Sequence, residues 1–201
     1  MKREEKNQQT RRRIMDSALA EFSRQRYGAS SVNTICSAQD ISKGIIYHYF
    51  KTKDDLYLAC VEECFQLLTQ YLKNGLSEGK SAQEQLEAYF AVRMTFFREH
   101  PVYQPIFCQA VISPPAHLAA EIQARKQPFD ALNAEILKNL LEPVPLCPQI
   151  TREEVVETLQ QFQDFINAKY QAANMGTREF EQRDESCRKA LHILLYAMTS
   201  K

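Results

Sequence analysis

Residues 31–50 read SVNTICSAQDISKGIIYHYF, from Ser31 to Phe50, and their apolar spacing describes two short helices joined by a tight turn. Ser31 is a helix-capping type of residue ahead of Val32 and Ile35, which a helix through about Ala38 turns to the interior. Ile41 plugs the turn. A second helix from about Ser42 to Tyr49 is anchored by Ile46 and Phe50, one helical turn apart and therefore on one face. With Ile46 inward, Gly44 and His48 fall near the opposite face, Ile45 and Tyr47 flank it, and Ser42 and Lys43 stand at the exposed N-terminus. That face suits the major groove of DNA: a small residue permits close approach, and a methyl-bearing one meets thymine.

Upstream, Ile14, Ala18 and Phe22 recur every fourth residue and mark the buried face of a first helix ending near Tyr27 and Gly28. Charge is divided along the chain. The 201 residues include 25 Lys+Arg and 25 Asp+Glu, a formal net charge of zero. Residues 1–53 hold eleven of the cations and five of the anions, a net of +6 that leaves −6 for the rest. A basic quarter joined to an acidic remainder is the pattern of a polyanion-binding module attached to something else; from charge alone, a solvated basic arm is the other reading. Residues 1–8 read as a disordered electrostatic tail.

Composition narrows the class. The length fits one or two domains, and 44% hydrophobic residues supply a packed core, which excludes disordered, collagen-like and disulfide-stapled chains. Cys36, Cys60, Cys64, Cys108, Cys147 and Cys187 are scattered without a C-x-x-C, so no zinc finger or disulfide framework is implied. Five glycines and few alternating β-branched runs point to an all-α chain of about nine helices. No apolar run approaches the roughly 18 residues of a membrane span, and the N-terminus lacks a signal-like apolar stretch. A cytoplasmic protein with no membrane partner is expected.

In chain order, Ile14, Ala18, Phe22 and Gly28, then Val32 and Ile35, then Ile41-Ser42-Lys43-Gly44, then Tyr47-His48-Tyr49-Phe50 with Lys51, Lys53 and Leu56 make a specific combination. It resembles the DNA-binding domain of the tetracycline-repressor (TetR) family over about residues 10–57. The chain departs from the family pattern in two places. Cys36 stands where the family has a small residue, and Gln39-Asp40 stands where it usually has Ala-Gly. Glycine serves that turn because it accepts a left-handed backbone; Asp is among the few other residues that tolerate it, so the turn is expected to survive with a small loss of stability.

The resemblance implies an N-terminal three-helix helix-turn-helix DNA-binding domain at residues 1–53, with its basic arm, and a C-terminal helical effector-binding and dimerisation domain at residues 54–201. It places Lys43, Gly44, Ile45 and Tyr47 on base edges. Ser31, Asn33, Thr34, Ser42, His48, Tyr49 and Lys53 become candidates for phosphate contact. Arg11, in the run Arg11, Arg12, Arg13, adds backbone or minor-groove contacts.

Further along, Thr52-x-x-Asp55, Ser81-x-x-Glu84 and Thr151-x-x-Glu154 have capping-box spacing and open a fourth, a fifth and a penultimate helix. Gly75 is expected to end the fourth and Pro101 the fifth. Shorter helices are expected over 102–112 and 116–141, the second kinked or broken at Pro128, before a proline-rich loop at 141–149. The penultimate helix ends near Gly176, and the last covers about Asp184 to Ser200. Val155, Leu159, Phe162, Ile166 and Tyr170 form one apolar stripe; Cys187, Leu191, Leu194, Leu195 and Met198 form another. Either they pack on their own subunit or, as the resemblance implies, they pair with a second copy in a four-helix bundle, giving a homodimer through the last two helices.

The fourth helix carries Leu58, Val61, Phe65, Leu68 and Leu72, and the fifth carries Leu86, Phe90, Arg93 and Phe97. Composition shows only a core there. The resemblance implies a pocket for a small-molecule effector, with Phe65, Tyr89, Arg93, Phe97, Tyr103, Phe107, Cys108 and Phe129 as candidate lining residues. Arg93 on an apolar stripe needs a partner, an internal carboxylate before an anionic ligand. Cys60 and Cys64 share a face, so a metal or redox sensor with His100 or His117 is a minor alternative; no metal or cofactor is expected.

Three functions are open. The one the resemblance implies is a ligand-responsive repressor that binds a pseudo-palindromic double-stranded DNA operator as a dimer and is released when an effector moves the fourth helix. The others are a constitutive DNA-binding or dimeric interaction protein with a vestigial pocket, and an enzyme with a DNA-binding accessory. The chain lacks a P-loop, G-x-G-x-x-G, H-E-x-x-H and G-x-S-x-G, which counts against the enzyme.

Overall fold

The computed structural model describes residues 3–76, 81–171 and 177–198, and among them every regular element is a helix. In chain order these are α1 (Arg3–Ala29), α2 (Val32–Ala38), α3 (Lys43–Tyr49), α4 (Lys53–Gly75), α5 (Ala82–Glu99), α6 (Tyr103–Ile112), α7 (Ala119–Leu141), α8 (Arg152–Gln171) and α9 (Thr177–Met198). A single 3-10 turn, Ala116–Leu118, leads into α7. Among the described residues no helix is long and apolar enough to cross a membrane.

Local chemistry sets most of the boundaries. The Thr52 N–H donates to Asp55 Oδ2 at 3.1 Å while the Asp55 N–H donates to Thr52 Oγ1 at 3.0 Å, a reciprocal box that starts α4. Ser81 with Glu84 and Thr151 with Glu154 repeat the exchange at α5 and α8. α4 ends at Gly75, as its position predicts, and close approach is what requires the glycine: a Cβ there would lie 2.7 Å from Val92 Cγ1 on α5.

Four boundaries differ from the sequence expectation. α1 begins at Arg3, where a disordered tail was expected through residue 8. Glu4 and Glu5 occupy its first turn, where negative charge is favourable to the helix dipole, and the Tyr49 hydroxyl donates to the Asn7 carbonyl at 3.3 Å. Near its other end α1 is interrupted at Arg26 (φ 58, ψ 172), so the left-handed residue is Arg26 and not Gly28. Of the kink or break expected at Pro128, the break is absent: α7 runs across it, Pro128 is exposed, and Phe129 and Leu132 beside it are buried, holding the helix through the lost hydrogen bond. α9 starts at Thr177, about two turns before the expected Asp184. Its polar opening hides the signal, but Phe180 is buried edge-on against Phe97 at 5.0 Å. The side chains of Tyr170, Leu194, Leu195 and Met198, and residues Gly176 and Ser200, lie outside the described part of the chain.

Packing separates the described residues into two compact units. One holds the chain up to Phe65 together with His100–Lys126; the other holds Gln66–Glu99 and the chain from Gln127 onward. In the first, Ile14, Ala18 and Phe22 of α1 are buried with Ile35, Ile41, Ile46 and Phe50, and Leu56, Val61, Ile106 and Phe107 extend the same unit's core. The helix-turn-helix elements therefore share a core unit with the start of α4 and with α6. In the second, Leu86, Phe90, Leu140, Leu141, Val155 and Leu159 form one apolar cluster. These units follow packing, and they differ from the boundary after residue 53 that the resemblance implies.

Candidate nucleic-acid interface

The inward side of the helix-turn-helix is tied down at every turn. The Ser17 hydroxyl donates to the buried Ile35 carbonyl at 2.7 Å, joining α1 to α2. Ser31 caps α2 by accepting from the Asn33 N–H at 3.2 Å, and its own N–H donates to Glu21 Oε1 at 3.1 Å. At the far end of α2 the Ile41 N–H donates to the Cys36 carbonyl at 2.9 Å, around Asp40 at φ 50. This is a Schellman stop with Asp in the position that glycine usually fills. Ser42 then caps α3, its Oγ accepting from the Ile45 N–H at 3.4 Å. Ile46 and Phe50 are buried.

What remains outward is the face expected from spacing. Ser42, Lys43, Gly44 and His48 are exposed, and Ile45 and Tyr47 are 42% and 44% exposed. Two large apolar side chains one residue either side of a buried Ile46 mark a surface that solvent alone does not reward. Gly44 is not required by packing, since a Cβ there would meet nothing within 4 Å. Asn33 and Thr34 on α2 are also exposed. Arg11 is exposed, with its guanidinium 5.4 Å from the Phe50 ring centroid.

Other candidates have internal partners. Lys53 is half-buried; its Nζ donates to the Ser30 carbonyl at 2.9 Å and lies 4.3 Å from the Tyr27 ring centroid, and burial lowers its pKa. Tyr49 is half-buried against the start of α1, and the Ser31 hydroxyl is occupied as a cap. The two arginines after Arg11 do not form an open arm. Arg12 pairs with Asp16 at 2.6 Å and with Glu63 at 2.8 Å, and the Tyr103 hydroxyl donates to the other oxygen of Glu63. Arg13 Nη2 donates to the Gln39 carbonyl at 2.6 Å. A second cluster joins Tyr27, whose hydroxyl donates to Asp54 and lies 3.2 Å from His117 Nε2; burial and the Asp54 carboxylate push the phenol up to about 12.

The effector-pocket candidates are distributed over both units. In the first, Phe65 and Phe107 touch at 5.7 Å between ring centroids, and Tyr103 and Cys108 are buried. In the second, the Tyr89 hydroxyl donates to Asn133 Oδ1 at 2.9 Å, Phe97 meets Phe180 edge to face, and Phe129 is buried. Arg93 finds the internal carboxylate that its position called for: Nη2 donates to Asp184 Oδ1 at 3.0 Å. Arg183 reaches the same oxygen at 3.2 Å and holds Asn167 Oδ1 at 2.6 Å. Cys60 and Cys64 are fully buried, and burial pushes both thiols up, which keeps them protonated. Among the described residues no group of three or more His, Cys, Asp or Glu is placed to hold a metal ion.

Of the two readings open for the apolar stripes, the described residues fit packing on their own chain. Val155, Leu159 and Ile166 are buried within their own chain, and Cys187 and Leu191 pack on the same cluster as Val155 and Leu159. Among the described residues, the large apolar side chains exposed on these helices are Phe165 on α8 and Ile193 and Tyr196 on α9, at 66%, 67% and 76% exposure. Periodicity identifies an apolar face but not which surface covers it. The links of Arg13 to Gln39 and of Arg12 to Glu63 were likewise missed, because they join residues far apart in sequence and leave no local pattern.

Residues 14–60 match the model of the bacterial regulatory proteins of the tetR family. The chain is 24% identical over 127 residues to IcaR of Staphylococcus epidermidis, an HTH-type negative transcriptional regulator of the icaADBC biofilm operon; the match covers 63% of this chain and 66% of IcaR, just under two thirds. Among solved structures it is similar to a TetR-family transcriptional regulator of Agrobacterium tumefaciens (TM-score 0.67, 16% identity, covering 96% of this chain and 100% of the other). It is also similar to FadR of Bacillus subtilis in complex with stearoyl-CoA (TM-score 0.68, 15% identity, 91% and 96% covered). At these identities the structural likeness is one of fold.

Proposed function

We propose, from the premise that the chain belongs to the TetR family of bacterial regulatory proteins, that it is a cytoplasmic, ligand-responsive repressor binding a pseudo-palindromic DNA operator as a homodimer. The observation that carries this reading is the outward face of α3, with Ile45 and Tyr47 exposed around a Gly44 that internal packing does not require. Lys43, Gly44, Ile45 and Tyr47 read base edges. Asn33, Thr34, Ser42 and His48 lie along the phosphates, with Ser31 and Tyr49 at the margin and Arg11 adding backbone charge. Lys53 contributes by holding the Ser30 carbonyl ahead of α2.

One helix-turn-helix reads few base pairs, so selectivity calls for two, on half-sites about 34–36 Å apart. The exposed Phe165, Ile193 and Tyr196 support pairing through α8 and α9. DNA binding then belongs to residues 1–53, and effector binding and dimerisation to residues 54–201. A small-molecule effector acts by population shift, favouring a dimer whose recognition helices no longer match both half-sites; a near-complete flip needs a differential affinity of about 5.5 kcal/mol. FadR, which shares the fold, was solved with stearoyl-CoA, which supports a ligand-binding regulator, and IcaR is named as a negative regulator, which supports repression.

Genomic selection with the purified chain, followed by gel-shift titration on its own upstream DNA, tests this reading. A recovered palindrome with half-site centres one helical turn apart is expected. Retention of DNA without any sequence enrichment would sink it.

A further inference from the structure

We infer that Arg13 is a positioning residue for DNA reading: it caps the C-terminus of α2 through the Gln39 carbonyl and holds the turn that aims α3. The inference rests on the proposed DNA-binding function. Arg13 was grouped by sequence with a basic arm, yet its guanidinium donates at 2.6 Å to the carbonyl of Gln39, the C-cap residue of α2. Carbonyls at a helix C-terminus have no partner within the helix, and a cation there also meets the negative end of the dipole.

This chain has a specific need for such a cap. Asp40, next along, sits at φ 50, where most side chains are strained, and it brings a negative charge to the end of a helix that disfavours one. Ile41 follows at once, buried and closing the turn onto Cys36, and then Ser42 opens α3. With Ile41 and the Schellman bond fixing one side of the turn, Arg13 fixes the other from α1. A charge-assisted bond of this kind shifts an equilibrium on the order of tenfold. Loosening the turn would therefore be felt in where α3 points, with no contact between Arg13 and DNA.

The test uses the full-length chain, DNA recovered by genomic selection, and a scrambled version of the same DNA. Arg13→Gln is expected to weaken binding to the recovered sequence about tenfold, to weaken the scrambled sequence less, and to leave the salt slope unchanged. Asp40→Gly, which relieves the left-handed strain and the misplaced charge, is expected to restore discrimination in the double variant. Thermal melting adds an arm that needs no DNA: Arg13→Gln lowers Tm, and Asp40→Gly recovers it, including where Arg13→Gln alone fails to fold. Equal losses on both sequences with a salt slope flatter by about one unit would make Arg13 a phosphate contact and overturn the inference, as would a failure of Asp40→Gly to recover Tm. Absence of sequence preference in the wild-type chain would instead strike at the DNA-binding reading and leave the melting arm standing.

Discussion

At Gly44 the needs of the folded chain and those of a bound groove are separable. Glycine inside a helix costs about 0.5–1 kcal/mol relative to alanine, and here nothing in the protein would collide with a Cβ. Gly44→Ala is therefore expected to raise Tm modestly in a melt of the free protein. The same substitution is expected to weaken binding to selected DNA, because the added methyl stands between α3 and the groove. A variant that is stabilised and binds as well as wild type would remove Gly44 from the interface.

Among the elements, α5 and α9 are joined by a carboxylate that serves two cations. Arg93 and Arg183 are both buried and both donate to Asp184 Oδ1. Removing one side of a buried pair leaves charge uncompensated and typically costs about 3–5 kcal/mol. Asp184→Ala takes the shared acceptor from both guanidiniums, so a loss of that order is expected in denaturant titration. Arg93→Met, which leaves Asp184 its bond to Arg183, is expected to cost less. Comparable losses in the two variants would mean that sharing is not what makes Asp184 matter. Much of this level was legible in the sequence: the three capping boxes, the turn after α2 and the inward set Ile14, Ala18, Phe22, Val32, Ile35, Ile46 all follow from spacing and residue type. The start of α9 was not, because Thr177 to Arg183 holds one apolar residue, Phe180, among polar ones, and Arg183 is buried despite its charge. Likewise Arg93 announced the need for a partner without naming Asp184, which lies on a different helix.

Over the whole molecule, the zero net charge conceals a basic segment and an acidic remainder, and structure changes what the basic segment means. Arg12, Arg13 and Lys53 have internal partners, so fewer of the segment's cationic groups are left to contact a polyanion than their number suggests. Assembly is the second property at this scale. Val155, Leu159 and Ile166 of the α8 stripe belong to the chain's own core, and among the described residues the large apolar side chains exposed on α8 and α9 are Phe165, Ile193 and Tyr196. Ile193→Asp is expected to shift sedimentation from dimer to monomer while far-UV circular dichroism stays unchanged. A dimer that persists undiminished would place the pairing surface elsewhere.

The central claim is that the outward face of α3 reads DNA sequence, beyond attracting it by charge. The most direct measurement is competition binding of Tyr47→Ala, Lys43→Ala and Arg11→Ala on selected and scrambled DNA across a salt series. The first two are expected to lose discrimination between the sequences, whereas Arg11→Ala is expected to weaken both alike and to flatten the salt slope by about one unit. Equal losses on both sequences for Tyr47→Ala and Lys43→Ala would contradict the central claim.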